Sequence, residues 1–142
     1  MSTPHPEGRG ARLALSDALA RAGLAASDVD YINLHGTATP KNDEVEAAVL
    51  ADVFTSRVRA SATKGFTGHT LGAAGILEAA ITLIAMEQGF VPATLNSRDA
   101  EPIVAAQLAI EREERTIRVA LSNSFGFGGS NCTLAFAAGA PN

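Results

Sequence analysis

Cysteine, histidine and tryptophan are scarce in this 142-residue chain, which has one, three and none of them, respectively. The single cysteine, Cys132, cannot form an internal disulfide. Neither a His-x-x-x-His pair nor a pair of closely spaced cysteines occurs, so we expect no metal site. Lysine and arginine form no run and the net charge is −4, which argues against a nucleic-acid partner.

A long uninterrupted apolar run is also missing. Residues 1–10 contain no apolar signal core. The longest apolar window, residues 71–86, contains Glu78, whereas a bilayer span needs about 18 or more apolar residues. We therefore expect no membrane partner and a reducing, cytoplasmic location.

The composition is that of one globular domain, with 46% hydrophobic residues. Alanine is the most frequent of them and glycine occurs 13 times, so the interior is expected to contain closely approaching backbones more than large side chains. Residues 1–10, which include Pro4 and Pro6, are predicted to be an extended N-terminal segment. Residues 11–138 are predicted to form the domain.

The hydrophobic periodicity predicts an α/β fold with the element order α-β-α-β-α-β-β. Helices are predicted at residues 11–22, from Asp43 onward and at 71–88, and strands at 29–34, 58–61, 117–121 and 132–136. The helix at 71–88 is apolar on nearly every side, so we expect it to be buried all round. Residues 111–115 are predicted to be a charged turn or a frayed helix end.

Three polar loops follow or join the predicted strands, where open α/β sheets gather their ligands. The first is HGTATP at residues 35–40, in which His35 either donates a hydrogen bond to a carbonyl or enolate oxygen or is an ordinary histidine in a turn. The last is SFGFGGSN at residues 124–131. Its glycines either direct backbone amides toward an oxyanion or form a hairpin turn around a packed phenylalanine.

The middle loop, TKGFTGH at residues 63–69, leads into the apolar helix. His69 lies before the positive end of that helix, which favours a neutral imidazole. Lys64 is either a solvated surface lysine or a buried one, and a buried lysine needs a carboxylate. Asp43 and Glu46 are the candidate partners, although their spacing is also that of a capping box at a helix start.

Together these loops, with LGAAG at residues 71–75, resemble the C-terminal half of β-ketoacyl-[acyl-carrier-protein] synthases. The resemblance runs in the same order over residues 6–137, so residues 11–138 would be the synthase C-terminal domain. The departures are small: Ala38 stands where serine is common, Gly65-Phe66 where serine and methionine often stand, and Ser130 where threonine is usual.

The resemblance implies the thiolase-like fold, of which this chain would be the second of two repeated α/β halves. It implies a decarboxylative Claisen condensation in fatty-acid or polyketide-type synthesis. His35 and His69 would bind the malonyl thioester oxygen and stabilise the enolate. Lys64, paired with Glu46 and with Asp43 nearby, would support the loop at residues 35–40, which is called the histidine loop below.

The family pattern also assigns the substrate-binding residues. Thr37 and Thr39 would hold the phosphopantetheine arm, and Phe127 and Gly128 would belong to the acyl pocket. Phe127 would act as the gate of that pocket, and its amide would complete an oxyanion hole. No cofactor of its own is implied, because the phosphopantetheine arrives on an acyl carrier protein, which is the expected partner.

The nucleophilic cysteine of the family belongs to the first half, which precedes the motifs found here. Cys132 follows the glycine loop on the last predicted strand, so we interpret it as a small buried side chain. We therefore expect a partner half or subunit that carries the nucleophile. The chain alone is expected to be inactive and to self-associate through its uncovered apolar face.

Three alternatives remain at this point. A thiolase is disfavoured, because Ser122 to Phe125 stand where that enzyme has a cysteine. A non-catalytic, chain-length-factor-like or carrier-protein-binding subunit would shape a pocket without catalysing condensation. A truncated, non-functional product is the third. Lys41, Arg57 and Arg59 are candidate contacts for a carrier protein.

Overall fold

The structure, a computed structural model, describes residues 5–54, 57–97 and 100–139. The helices in these residues are α1 (Arg9–Ala22), α2 (Pro40–Val53), α3 (Lys64–Thr67) and α4 (Ala74–Gln88). The strands are β1 (Tyr31–Asn33), β2 (Arg59–Ser61), β3 (Phe90–Val91), β4 (Glu113–Glu114), β5 (Val119–Phe125) and β6 (Asn131–Ala137).

One sheet in the order β2-β1-β5-β6 forms the centre of the domain. β1 is parallel to β2 and to β5, whereas β6 is antiparallel to β5. Successive residues of β1 face opposite sides: Ile32 packs in a cluster with α1 and α2, and Tyr31 packs in a cluster with Ala85 of α4. The fold is therefore three layers, helix on sheet on helix, and the α/β prediction is confirmed.

The first predicted helix is confirmed as α1, with Leu15 and Leu19 on its buried face. It begins at Arg9, two residues before the predicted start. The prediction of an extended segment over residues 1–10 is therefore wrong for Arg9 and Gly10. Residues 1–4 of that segment lie outside the described residues.

The second helix does not begin with a capping box at Asp43. α2 starts three residues earlier, with Thr39 at the N-cap and Pro40 in the first turn. Proline suits this position because its fixed φ is already helical and its missing N–H would have no partner within the helix. Asp43 and Glu46 are therefore inside the helix, and the capping-box interpretation is wrong.

The two-stranded ribbon of β3 and β4 was missed by the sequence pattern. Residues 111–115 were predicted as a turn or a frayed helix end, but Glu113 and Glu114 pair antiparallel with Phe90 and Val91. The guanidinium of Arg59 binds Glu113 and so ties this ribbon to β2. Arg59 is thus ion-paired within the domain, and its contact with a carrier protein stays a prediction, as do those of Lys41 and Arg57.

The prediction that the apolar helix is buried on every side is wrong for this chain. Helix α4 packs its small and polar face, which includes Glu78 and Thr82, against the sheet. The opposite face is open, with Ile76 73% exposed and Leu83 49% exposed. The predicted close approach is confirmed at Gly75, where an added Cβ would lie 3.1 Å from the hydroxyl of Ser124.

The stretch Leu71–Gln88 has a mean hydropathy of 1.3 and is long enough to cross a membrane. Length and composition alone are weak evidence for a span, because core helices of soluble proteins pass the same test. This stretch contains a buried, ion-paired carboxylate at Glu78. The absence of a membrane partner stays a prediction.

Cys132 is exposed, which contradicts the prediction that it is a small buried side chain. It lies on β6, opposite Ser124 of β5. β6 is the last strand in the sheet order, so Cys132 lies on an edge strand. The place of Cys132 in a predicted strand had indicated burial, but this strand lies at the edge of the sheet and the side chain is exposed.

Candidate active site

The predicted site residues converge beyond the carboxyl ends of the parallel strands. His35 follows β1 by two residues, and Lys64 begins the short helix α3 after β2. The imidazole rings of His35 and His69 lie 5.7 Å apart between centroids, at an angle of 87°. His35 is buried and His69 is exposed. Two histidines that are distant in sequence therefore meet at one place.

Lys64 is buried beneath His35, and all of its donor capacity is used. Its ammonium group donates to the carboxylate of Glu78 and to the backbone carbonyl of His35. It also lies 3.4 Å from Nδ1 of the His35 ring. The surface-lysine alternative is thus excluded, and the predicted ion pair with Glu46 is wrong, because the partner is Glu78.

Glu78 was not found as a site residue by sequence reasoning. The available signal was a carboxylate within the most apolar window of the chain, because a charge in such a position requires a partner. Burial raises the pKa of Glu78, and the hydrogen bond from Lys64 opposes this shift. Its second oxygen, Oε2, is buried without a partner among the described residues.

The side chain of Glu46 binds the backbone of the histidine loop directly. Its carboxylate accepts hydrogen bonds from the N–H of His35 (2.8 Å) and of Gly36 (2.9 Å). The amide of Asn123 on β5 donates to the same group at 3.3 Å. Burial raises the pKa of Glu46, and these hydrogen bonds counteract the shift. This carboxylate therefore joins the loop after β1 to both α2 and β5.

Asp43, the other acidic residue singled out in the sequence, has a more peripheral place. It accepts a hydrogen bond from Asn42 at 3.1 Å, and Asn42 also reaches Glu46 at 3.5 Å. Asp43 is thus connected to the histidine loop through a neighbour and through Glu46.

The hydrogen bonds of the two rings determine which nitrogen carries the proton. The Lys64 ammonium faces Nδ1 of His35, so this atom is an acceptor and Nε2 carries the hydrogen. Burial, the charge of Lys64 and the neighbouring His69 lower the pKa of His35 to about 4, so the ring is neutral near pH 7. Nδ1 of His69 accepts the backbone N–H of Leu71 at 3.2 Å. Each ring therefore has Nε2–H as its donor.

A buried polar network supports this arrangement from α4 and β1. The Asn33 side-chain amide donates to the Glu78 carbonyl and to the Thr82 hydroxyl, both at 3.3 Å. The Thr63 hydroxyl donates to the Asn33 side chain at 3.4 Å. The sequence motifs did not indicate Asn33 or Thr82, because neither belongs to a polar loop.

The remaining predicted residues lie at the exposed rim. The hydroxyl groups of Thr37 and Thr39 are 2.8 Å apart and hydrogen-bonded to each other. Phe127 is 79% exposed in the 3-10 turn Phe127–Gly129, which also contains Gly128. The turn follows Phe125, whose ring lies 5.6 Å from that of His35. Among residues 5–54, 57–97 and 100–139, no three metal-ligating side chains cluster.

The chain is similar to known condensing enzymes. Residues 1–98 match the family model of the β-ketoacyl synthase C-terminal domain. The chain is 41% identical over 144 residues to the mitochondrial 3-oxoacyl-[acyl-carrier-protein] synthase of Arabidopsis thaliana, covering 96% of this chain and 31% of that protein. It is 41% identical over 140 residues to 3-oxoacyl-[acyl-carrier-protein] synthase 2 of Synechocystis, covering 96% and 34%.

Solved structures show the same relationship. A ketosynthase in complex with its chain length factor from Xenorhabdus doucetiae superposes with a TM-score of 0.90 at 40% identity, covering 98% of this chain and 36% of that one. A β-ketoacyl synthase from Burkholderia phymatum gives 0.87 at 35% identity, covering 96% and 34%. The chain thus spans about a third of the length of these relatives. It has a thiolase-like fold and belongs to the β-ketoacyl synthase family, as a C-terminal domain.

Proposed function

We propose that this chain is the C-terminal half of a β-ketoacyl-[acyl-carrier-protein] synthase that catalyses decarboxylative condensation. The observation that carries the proposal is the pair of imidazoles of His35 and His69, each with Nε2–H as its donor. Two neutral donors beside each other suit a thioester oxygen that gains negative charge, because the hydrogen bonds strengthen as the charge develops.

In the proposed reaction, the malonyl thioester oxygen accepts hydrogen bonds from both histidines. The bond to the carboxylate carbon breaks, CO2 leaves, and the negative charge moves to that oxygen as an enolate. The enolate carbon then attacks the acyl thioester carbonyl, and the thiolate of the acylated cysteine leaves. With Nδ1 of each ring occupied, Nε2–H is the atom that each histidine can direct at the oxyanion.

Lys64 has a positioning role in this scheme. Its ammonium holds Nδ1 and the carbonyl of His35, and Glu78 balances its buried charge. Glu46 holds the same loop through the N–H groups of His35 and Gly36. The fixed loop keeps the donor atom of His35 in place before substrate binds.

The rim residues would bind the rest of the substrate. Thr37 and Thr39 present hydroxyl groups for the phosphopantetheine arm. The exposed ring of Phe127 suits a gate over the acyl pocket, and Gly128 beside it has a left-handed φ of 77° that glycine adopts readily. In this proposal the chain needs no cofactor of its own, because the phosphopantetheine is carried by the acyl carrier protein.

The nucleophilic cysteine would come from another polypeptide segment, since Cys132 lies on the edge strand β6. The segment that carries the nucleophile is the proposed occupant of the open face of α4. Without it, we propose that the chain is inactive and that its apolar face drives self-association. A nucleic acid or a membrane is not among the proposed partners.

A non-catalytic subunit is the second candidate, because the similar structures include ketosynthases paired with chain length factors. The presence of both histidines favours the synthase. Cytoplasmic location is part of the proposal for a bacterial chain, whereas the plant relatives are named as mitochondrial and chloroplastic enzymes.

The proposal is tested by replacing the matching segment of the Synechocystis enzyme with this chain. We expect the chimera to form β-ketoacyl product from acyl- and malonyl-carrier protein. His35→Ala and His69→Ala should each lower the rate of CO2 release about 10²- to 10³-fold. Full activity in both variants, or product formed by the 142-residue chain alone, would contradict the proposal.

A further inference from the structure

Ala38, in the histidine loop, adopts a backbone conformation that alanine rarely takes. Its φ is +58°, in the left-handed region where the Cβ of an L residue crowds the following carbonyl oxygen. The side chain is exposed, so burial of its methyl group does not offset this strain. A strained residue of this kind persists only where the surrounding contacts impose its conformation.

The contacts that impose it tie both ends of the segment 36–39 to α2. At one end, the N–H of Gly36 donates to the carboxylate of Glu46, in the second turn of that helix, at 2.9 Å. At the other end, Thr39 is the N-cap of the same helix, and its carbonyl accepts the N–H of Asp43 at 3.0 Å. The chain between these ties turns back within four residues, with a positive φ at both Gly36 and Ala38.

The φ of Ala38 determines how the two neighbouring threonines stand relative to each other. The N–Cα bond of Ala38 lies between the side chains of Thr37 and Thr39, whose hydroxyl oxygens are 2.8 Å apart. In a continuous strand, residues two positions apart are separated by about 6.6 Å, and in a continuous right-handed helix they do not face each other. Neither regular conformation through residues 37–39 would therefore bring the hydroxyl groups together.

The contact between the hydroxyl groups makes them one binding unit. Each hydroxyl group of Thr37 and Thr39 has a single hydrogen to donate. One of these two hydrogens lies between the oxygens, and the other is left for a ligand. Because each hydroxyl group holds the other in place, the remaining donor is oriented before a ligand arrives.

We propose that Ala38 is a positioning residue for the hydroxyl pair of Thr37 and Thr39, and that this pair donates its remaining hydrogen to the phosphopantetheine arm of the substrate. The inference rests on the proposed function, which supplies this substrate. The requirement at position 38 is tolerance of a positive φ, and the methyl group of alanine is not needed for it.

Two variants of similar size separate tolerance of a positive φ from the effect of a larger side chain. Asparagine tolerates the left-handed region, whereas the β-branched valine does not. Ala105→Val is the matched control, because Ala105 is also exposed but has a φ of −54°. NMR of the 142-residue chain measures the cross-relaxation between the amide and α protons of residue 38, which is strongest at positive φ, where these two protons are closest.

We expect a strong signal at residue 38 in the wild type, in Ala38→Asn and in Ala105→Val. The same three chains should show cross-relaxation between the side chains of Thr37 and Thr39, because their hydroxyl groups are in contact. Ala38→Val should lose both signals together.

The chimera with the Synechocystis enzyme tests the role in substrate binding. Ala38→Val should raise the KM for malonyl-carrier protein about tenfold with kcat nearly unchanged, because a hydrogen bond to the arm is made equally before and during the reaction. Ala38→Asn and Ala105→Val should keep the KM of the parent chimera. The double variant Thr37→Val and Thr39→Val should match Ala38→Val, and adding Ala38→Val to it should change the KM by less than about twofold.

A wild-type residue 38 without the strong signal, an Ala38→Asn chimera with a raised KM, or an Ala38→Val chimera with the parent KM would overturn the inference. A fall in kcat alone would overturn it as well, since position 38 would then act on the condensation step. If Ala38→Val does not fold, the wild type, Ala38→Asn and the threonine double variant still decide the question. An inactive parent chimera refutes the proposed function, whereas the signals at residue 38 separately show whether Ala38 sets the hydroxyl pair.

Discussion

The buried ammonium of Lys64 connects the histidine loop to α4, because it donates one hydrogen bond to each of them. It donates to Glu78 on one side and to the His35 carbonyl on the other. A charge removed from water is tolerated only when its partners replace the lost hydration. The geometry of His35 therefore depends on the Glu78 carboxylate, which reaches the histidine loop through the Lys64 ammonium.

Glu78→Gln is expected to lower the free energy of unfolding by about 3 kcal/mol or more, because it leaves the ammonium buried without an opposite charge. Urea denaturation of the chain measures the loss. Glu87→Gln is the matched control, since Glu87 is exposed on the same helix. It should change stability by less than about 0.5 kcal/mol. Equal losses in the two variants would show that the ion pair contributes nothing.

The lowered pKa of His35 predicts that the stability of the folded chain depends on pH. The pKa of His35 is about 4 in the folded chain and 6.5 at its ordinary value, so the unfolded chain binds the proton more tightly. The stability that this difference contributes is fully present above pH 6.5 and is lost as the pH falls toward 4. Urea denaturation across this range should therefore show a smaller loss in His35→Gln than in the wild type. Parallel pH curves for the two chains would contradict the assignment.

At the residue scale, the resemblance to the synthase family predicted that His35 and His69 act at one site, and their rings do lie side by side. It did not predict the partner of Lys64. Spacing placed Glu46 near the loop but could not show that its oxygens are occupied by backbone N–H groups. Only the packing of α4 on the sheet shows that Glu78 reaches the ammonium.

At the scale of elements, the loop after β1 passes very close to the loop after β2. Gly36 has a φ of +41°, and a Cβ added there would lie 2.4 Å from the Cβ of Ala62. A side chain at position 36 would both strain the backbone and separate the two loops. The close approach brings the His35 and Lys64 segments together.

Gly36→Ala is therefore expected to destabilise the chain by about 2 kcal/mol or more. Gly72→Ala is its control, because an added Cβ there meets nothing within 4 Å and the φ is not positive. That control should be neutral or slightly stabilising. Thermal unfolding of both variants makes the comparison. A Gly36→Ala chain as stable as Gly72→Ala would show that the loops can separate without cost.

Elements with a clear hydrophobic periodicity within their own segment were predictable from the sequence, whereas elements set by distant contacts were not. α1 and the parallel strands follow from apolar spacing within each segment. The β3–β4 ribbon pairs Phe90 and Val91 with residues more than 20 positions later, so no local pattern identifies it. The start of α2 was misplaced because a capping-box spacing was given more weight than Pro40.

At the scale of the whole molecule, α4 separates a polar, buried side from an apolar, open one. Its outward face presents Ile76 and Ile84, which are 73% and 46% exposed, and Leu71 precedes it with 73% exposed. Contiguous apolar surface of this kind marks an interaction site. The sequence pattern predicted a helix that is apolar on nearly every side, but it cannot show which side the rest of the protein covers.

The isolated chain is expected to self-associate through this face. Sedimentation at increasing concentration should show growing oligomers and binding of an apolar dye. The double variant Ile76→Lys and Leu83→Lys should shift the chain toward monomer without loss of stability, because both side chains are exposed. Leu13→Lys, at a 61% exposed position on α1, is the control and should leave association unchanged. A wild-type chain that stays monomeric and binds no dye would contradict this expectation.

The order of strands in the sheet sets the time at which the site can form during synthesis. β1 is made well before β5, although β5 is one of its two neighbours in the sheet. The carboxylate of Glu46 likewise waits for Asn123, 77 residues later. Pairings of such long sequence separation form slowly. The ribosome must therefore release nearly the entire domain before the histidine loop acquires its full set of hydrogen bonds.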